Sequence, residues 1–364
     1  MGRQFEFDLK SDDDVLSPQP LPGMELLHPL PVLIEAAGHA RAKPVAVKAQ
    51  APLLPRGVVA EDAFRITLLQ CKWHIAANVP AVVEAQDPEG IHQMRVGLRR
   101  LRVALTSFGG DFRSPALETL RMRARKMAAR MGPARDLDVF GAELLEPAAQ
   151  AASSARGFDV LRARAAQARH TAWNFAVAHV AGAGFASFMS ELGEAVDRRV
   201  WFEASGRGKI TKGRFVFEMP AADLATRMLD HRLKHARKRA KHLNELSDEQ
   251  RHRLRIALKK LRYTSEFFAP LYEANGAHTF QKNLSRMQDT LGCLNDVAVA
   301  RKTLHSIVEG PAHEAQAVRP ELAFAAGAVY GFHLDRAEHT WKKVKNRWKT
   351  FAKTEPYWRS GVLH

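Results

Sequence analysis

Cysteine is nearly absent from this chain: Cys71 and Cys293 are the only two among 364 residues, too few for a disulfide framework, so a reducing compartment is the expected setting. Long apolar runs are missing as well, and nothing approaches the roughly 18 consecutive apolar residues of a membrane span. The N-terminal MGRQFEFDLKSDDDV places acids where a secretory signal needs an apolar stretch. The cytoplasm is therefore the expected address. Enzymatic signatures are also lacking: there is no Ser-His-Asp set, HExxH, Cys-His cluster, P-loop or dinucleotide-binding glycine pattern. No catalytic residue, metal or cofactor is assigned, and a non-enzymatic chain is expected.

Acids are the other shortage. Lys plus Arg number 55 against 39 Asp plus Glu, a formal charge of +16 and a pI near 10.1. Such a field attracts nucleic acid, polyphosphate or an anionic surface without choosing among them. An apolar share of 46% and a mean hydropathy of -0.28 are those of a folded soluble protein.

Proline divides the chain. Residues 1–58 hold eight prolines (Pro18, Pro20, Pro22, Pro29, Pro31, Pro44, Pro52 and Pro55) and no helical period, so they read as an irregular segment with one or two strands. Beyond residue 60 the texture is helical, with proline at element ends. The expected class is all-α: two tandem, pseudo-symmetric antiparallel bundles spanning 59–200 and 220–355, because each amphipathic stripe needs a facing helix. Residues 201–219, rich in Gly, Lys and aromatics, read as a basic linker, and 356–364 as a tail.

Within those halves one helix occurs twice. IHQMRVGLRRLRVALTSF, residues 91–108, matches RHRLRIALKKLRYTSEFF, residues 251–268, at a shift of 160. The shift survives into MGPARDLDV and LGCLNDVAV, where Gly132, Arg135, Asp136 and Val139 meet Gly292, Asn295, Asp296 and Val299. At about 100° per residue, Met94, Leu98, Leu101, Leu105 and Phe108 form one apolar stripe, as do Leu254, Leu258, Leu261 and Phe268, interrupted by Ser265. Beside them run cation stripes: His92, Arg95, Arg99 and Arg102, then His252, Arg255, Lys259 and Arg262. Like charges stacked this way repel by roughly 0.2–0.5 kcal/mol per pair. Neither 91–108 nor 251–265 holds an acid, so a multivalent anion is the better neutraliser.

The Gly-x-x-Arg/Asn-Asp motifs read first as helix starts, with Gly132 and Gly292 at the bend and Asp136 and Asp296 accepting first-turn amides. The same carboxylates would also orient a cation of the repeated helix. Metal ligation by Asp136, Asp138 and Asp296 is the weaker reading. The two histidines suit donation to a phosphate oxygen, strengthening as pH falls. Further basic runs lie at 121–130, 227–241 and 342–353, which a solvated face would explain as well as a polyanion site.

The HQMRVGLRRLR and LRIALKKLRY helices, each followed by its Gly-x-x-Arg/Asn-Asp motif, resemble the CHAD family, the conserved-histidine α-helical domain, over about residues 60–355. The resemblance implies two pseudo-symmetric helical bundles around a basic groove, binding of inorganic polyphosphate, and association with polyphosphate or polyhydroxyalkanoate storage granules. The ligand-binding residues it implies are His92, Arg95, Arg99, Arg102, His252, Arg255, Lys259 and Arg262, with Arg100, Lys260 and Arg135 as weaker members. Arg130, Lys234, Lys238 and Lys241 are additional basic candidates. Proteins similar to this one often carry a CYTH domain before the CHAD domain, and Glu6-Phe7-Asp8-Leu9-Lys10 looks like a weak form of its Glu-x-Glu-x-Lys strand. The residues preceding the helices are too few for its eight-stranded barrel, so tunnel-type hydrolysis is not expected.

Rival functions remain open at this level. A DNA- or RNA-binding protein would need a broad basic face, with aromatic platforms such as Trp341, Trp348, Tyr357 and Trp358 for single strands. A phosphoanhydride hydrolase would need several converging carboxylates. A granule-surface structural protein would act through an apolar face, which reads equally as core or as a homodimer interface, and a homodimer is kept among the partners.

Overall fold

The computed structural model describes residues 43–108, 112, 114–152, 156–205, 210, 211, 214–308 and 319–359. The Glu6–Lys10 pentapeptide lies outside them. Residues 43–57 carry no helix and are tied to the first helix, with Asn78 bonding both Val47 N and Val47 O at 3.0 Å.

The first copy of the repeat is built from α1 (Ala60–Ala77), the short α2 (Val79–Val83), α3 (Pro88–Ser107), α4 (Pro115–Arg130), α5 (Gly132–Val139), a π-helical turn (Phe140–Leu145), α6 (Glu146–Ala151), α7 (Phe158–Ala181) and α8 (Ala183–Asp197). After α9 (Val200–Ser205) and a hairpin of two-residue strands, β1 (Ile210–Thr211) and β2 (Arg214–Phe215), the second copy follows. It comprises α10 (Ala221–Arg239), α11 (Asp248–Phe268), α12 (Ala274–Val308), α13 (Arg319–Trp341) and α14 (Val344–Lys353).

Packing repeats along with the sequence. The pairs α1–α3, α3–α4, α4–α8 and α5–α7 correspond to α10–α11, α11–α12, α12–α14 and α12–α13. One continuous helix, α12, thus runs through the stretch that the first copy divides into α4, α5, the π-helical turn and the start of α6, the first break falling between α4 and α5. The cause is a single position: Pro133, at the start of α5, has no amide to donate, whereas Cys293, its equivalent, continues the helix. Between α1 and α3 the spacing depends on Gly97, where a Cβ would fall 2.8 Å from Ile75.

The repeated helices start on genuine caps. Asp87 accepts from Glu89 N at 2.9 Å ahead of α3, and Ser247 forms a capping box with Gln250 ahead of α11. Every residue of the two apolar stripes is buried. The stripes merge into one core rather than two, with the Phe108 and Phe268 rings 5.5 Å apart across the copies. Truncating either ring would cost about 3–5 kcal/mol. A second apolar cluster joins Phe140, Leu144 and Leu161 to Ala300, Leu304 and Leu322.

Two stretches expected to connect or trail do more than that. In 201–219, Trp201, Val216 and Phe217 are buried, and Phe217 O and Met219 O accept the amides of Glu61 and Ala60 at 3.1 and 2.9 Å. In the tail, Tyr357 and Trp358 are core residues. The Tyr357 hydroxyl donates to Ser265 O at 2.9 Å and also lies 3.2 Å from Ser265 Oγ; the second contact explains why a serine interrupts the second apolar stripe, since α11 turns a hydroxyl toward the returning C-terminal segment.

Candidate functional site

Helices α3 and α11 pack against each other, so their cation stripes are brought together. The charges of Arg99, Arg255, Arg262 and Arg95 all reach Lys259. Burial and then this repulsion push its amine down to about 6. Burial likewise lowers Arg95 and Arg255, opposed by the nearby carboxylates of Asp136 and Asp296 respectively. Asp296 is itself raised by burial, against the pull of Arg255. His92 is lowered first by burial and then by Arg135, with Arg99 and Arg95 adding to it. The central cluster therefore contains His92, Arg95, Arg99, Arg135, Arg255, Lys259 and Arg262.

Hydrogen bonding leaves much of this charge unanswered. Arg99 reaches the Tyr263 hydroxyl only at 3.5 Å, and the buried Nε atoms of Arg102 and Arg255 have no hydrogen-bond partner. Arg135 lies 3.7 Å from Glu143, and Arg262 lies 3.2 Å from Glu266. Such unpaired buried donors are costly unless a ligand meets them.

Asp136 and Asp296 are not helix caps. Asp136 is the fifth residue of α5 and Asp296 lies deep inside α12, where no free first-turn amide is within reach. Gly132 opens α5 but its structural role is clearance: a Cβ there would come 3.2 Å from Arg95 Nη1. Gly292, by contrast, is an interior residue of α12 with open space around it. Asp138 is engaged structurally, accepting from Arg169 Nε at 2.6 Å and Trp173 Nε1 at 3.0 Å.

Arg100 leaves the cluster altogether. It is 4% exposed and ion-paired with Glu266, it donates to Gln50 O at 2.9 Å, and it stacks over Phe267 at 5.0 Å. One residue along the helix is a 100° turn, which takes it from the cation stripe into the core. Arg102 and Lys260 form a second group, in which Lys260 feels Arg232, Arg102, Arg239 and Arg121. Arg102 feels Arg125, Arg121 and then Arg99, which links the two groups.

The remaining candidates lie apart. Arg130 is exposed and its charge reaches His179 on α7. Lys234, Lys238 and Lys241 are exposed and line a separate cleft with Arg237 and Arg359. His252, unlike half-buried His92, is exposed and lines a cleft of ≈ 720 Å³ that it shares with Arg255. Sequence reasoning missed Glu266, Tyr263 and the cations on α12. Glu266 lies one residue past the acid-free stretch, and Tyr263 sits one position beyond the last cation of the stripe. Among the described residues no group of His, Cys, Asp and Glu could hold a metal ion, and no single helix is long and apolar enough to cross a membrane.

Known proteins place this arrangement. The chain is similar to the crystal structure of the CHAD domain from the plant Ricinus communis, at 26% identity and a TM-score of 0.69, over 90% of this chain and 100% of that one. It also shares its fold with PptA from Streptomyces chartreusis, at 14% identity and a TM-score of 0.56, over 80% of this chain and 100% of that one. No curated protein matches the sequence. The model of the CHAD domain matches residues 67–305, and the chain belongs to the CHAD domain family.

Proposed function

We propose that this protein binds inorganic polyphosphate, without turning it over, in a basic groove formed by α3 and α11. The observation that carries the reading is the convergence of Arg95, Arg99, Arg255 and Arg262 on half-buried Lys259, an excess of positive charge over the neighbouring carboxylates that a multivalent anion would neutralise. CHAD domains are linked to polyphosphate binding in general, and they are not a classical enzyme family. A flexible phosphate chain needs no base recognition, so Arg donors paired with mobile Lys charge suffice. Binding of this kind would bring the protein to polyphosphate-containing storage granules.

Single-stranded nucleic acid fits less well. Its recognition needs exposed aromatic faces, yet Tyr357 and Trp358 are buried. Trp341 is covered by the Arg251 guanidinium at 4.1 Å, and Trp348 packs on Phe351 at 5.5 Å.

The test is a titration of long-chain polyphosphate, double-stranded DNA and single-stranded RNA at matched phosphate and near-physiological salt. Polyphosphate is expected to bind at least about tenfold more tightly than either nucleic acid, a difference of roughly 1.4 kcal/mol. Equal affinities for all three would sink the reading. Replacing Arg95, Arg99, Arg255 and Lys259 together by Ala is expected to abolish binding while the helical circular-dichroism signal persists. Magnesium-dependent release of orthophosphate would overturn the non-enzymatic part.

A further inference from the structure

The two copies differ where the second one opens. Between α11, α12 and α13 lies the ≈ 720 Å³ cleft that contains His252 and Arg255, a size within the roughly 300–1,000 Å³ of small-molecule sites. Its other cations are Arg251, Arg301 and Lys302, and His305 also lines it. Through the shift of 160, Arg251, Arg301 and Lys302 replace Ile91, Gly141 and Ala142 of the first copy. That equivalence holds structurally in this stretch, since Phe140 and Leu144 are buried as their counterparts Ala300 and Leu304 are. Ile91 is fully buried in the core. Where the first copy has a buried isoleucine and two small residues, the second therefore presents positive charge.

The opposite wall has different chemistry. Helix α13 contributes Tyr330, Leu334 and Ala337, and Leu334 is 39% exposed, so its side chain is open to the cleft. Acids are few: Asp248 is engaged by Arg251 at 3.2 Å, which leaves Glu338. The Nε atoms of Arg251 and Arg255 are buried without hydrogen-bond partners. One wall thus suits phosphoryl oxygens and the other suits a flat apolar group, with Tyr330 able to stack. A bare phosphate chain has no use for the second wall.

We propose that this cleft is a second ligand site, one that takes a nucleoside di- or triphosphate, with phosphates on Arg251, Arg255, Arg301 and Lys302 and the base against Tyr330 and Leu334. The proposal does not depend on the polyphosphate reading, although Arg255 belongs to both sites and couples them.

Isothermal titration of the full chain with ATP and with inorganic tripolyphosphate, both without added metal, tests it. ATP is expected to bind more tightly than tripolyphosphate, and Tyr330→Ala is expected to remove that advantage. Charge reversal at exposed Arg301 and Lys302 (R301E/K302E) is expected to weaken ATP by about tenfold or more, as loss of charged hydrogen bonds implies, while long-chain polyphosphate stays within about threefold. Arg99→Ala is expected to do the reverse. ATP binding no tighter than tripolyphosphate, ATP binding indifferent to R301E/K302E, or the absence of ATP binding overturns the nucleotide site. An equal loss of ATP and polyphosphate in R301E/K302E overturns it too, since the cleft would then be an extension of the polyphosphate groove.

Discussion

Arg100 of the first copy is ion-paired with Glu266 of the second, while Arg99, its neighbour on the same helix, has no carboxylate partner among the described residues. Adjacent arginines thus separate two duties, one joining the halves and the other remaining free for a ligand. Arg100→Met is expected to lower stability by about 2 kcal/mol, below the range for breaking a fully buried pair because Glu266 keeps Arg262 nearby, with polyphosphate affinity little changed. Arg99→Ala is expected to leave stability within about 0.5 kcal/mol and to weaken polyphosphate about tenfold. Urea denaturation paired with a binding titration of each variant checks both.

Lys259 makes binding depend on pH. Its amine sits at about 6 in the free protein, and a bound polyanion restores it toward the ordinary lysine range. Between those limits binding takes up a proton, so affinity is expected to fall as pH rises above about 6, by up to about one decade per pH unit from this group. Calorimetry at pH 7.5 in buffers of different ionisation enthalpy should register the uptake, and Lys259→Arg should abolish it while retaining binding. Folding stability of the free protein moves the opposite way. The unfolded lysine holds its proton up to about 10.5, so across this window the unfolded chain binds more protons, and the contribution of Lys259 to stability rises with pH.

The stripes were legible in the sequence because helical period and a 160-residue shift are local, one-dimensional properties. Burial of the apolar stripes followed, since each needed a facing helix; that the two basic helices meet each other did not, because an apolar seam does not name its partner. What was not legible depends on a step of one residue or on distant chain. Arg100 and Arg99 look alike in a row of cations, and only the 100° turn between them sends one into the core. Asp136 and Asp296 resemble caps because a glycine precedes each, yet Cys293 lets α12 run through where Pro133 breaks its counterpart. Ser265 looked like a defect in the stripe until Tyr357, 92 positions away, supplied a partner for its hydroxyl. The cleft cations could have been found by asking where the copies disagree, at Ile91 and Arg251, rather than where they match.

The basic run on α10 and in the turn after it provides a control on charge count. Lys234, Lys238 and Lys241 are exposed beside Arg237 and Arg359, in a cleft of their own. If placement rather than number of cations governs affinity, replacing these three lysines by Ala changes polyphosphate binding by no more than about threefold at physiological salt, where exposed charges beyond about 8 Å are screened. The slope of log affinity against log salt should drop for this variant far less than for Arg99→Ala, which removes one direct contact and about one released counterion.

Gly157 tests how tightly the far end of the molecule is closed. It precedes α7 with φ at +89°, and a Cβ there would fall 2.2 Å from Glu321 O at the start of α13. An alanine meets two penalties: a left-handed backbone, worth about 1–2 kcal/mol, and a clash with backbone that cannot rotate away. Gly157→Ala is therefore expected to lower stability by about 2 kcal/mol or more, read as a fall in denaturation midpoint with an unchanged slope. Because α7 and α13 pack together through Leu161, Leu322 and Ala325, the loss should loosen α13, so hydrogen exchange should accelerate there before it does in α3 or α11. Uniform acceleration across all four helices would show that the two apolar clusters open as one cooperative unit.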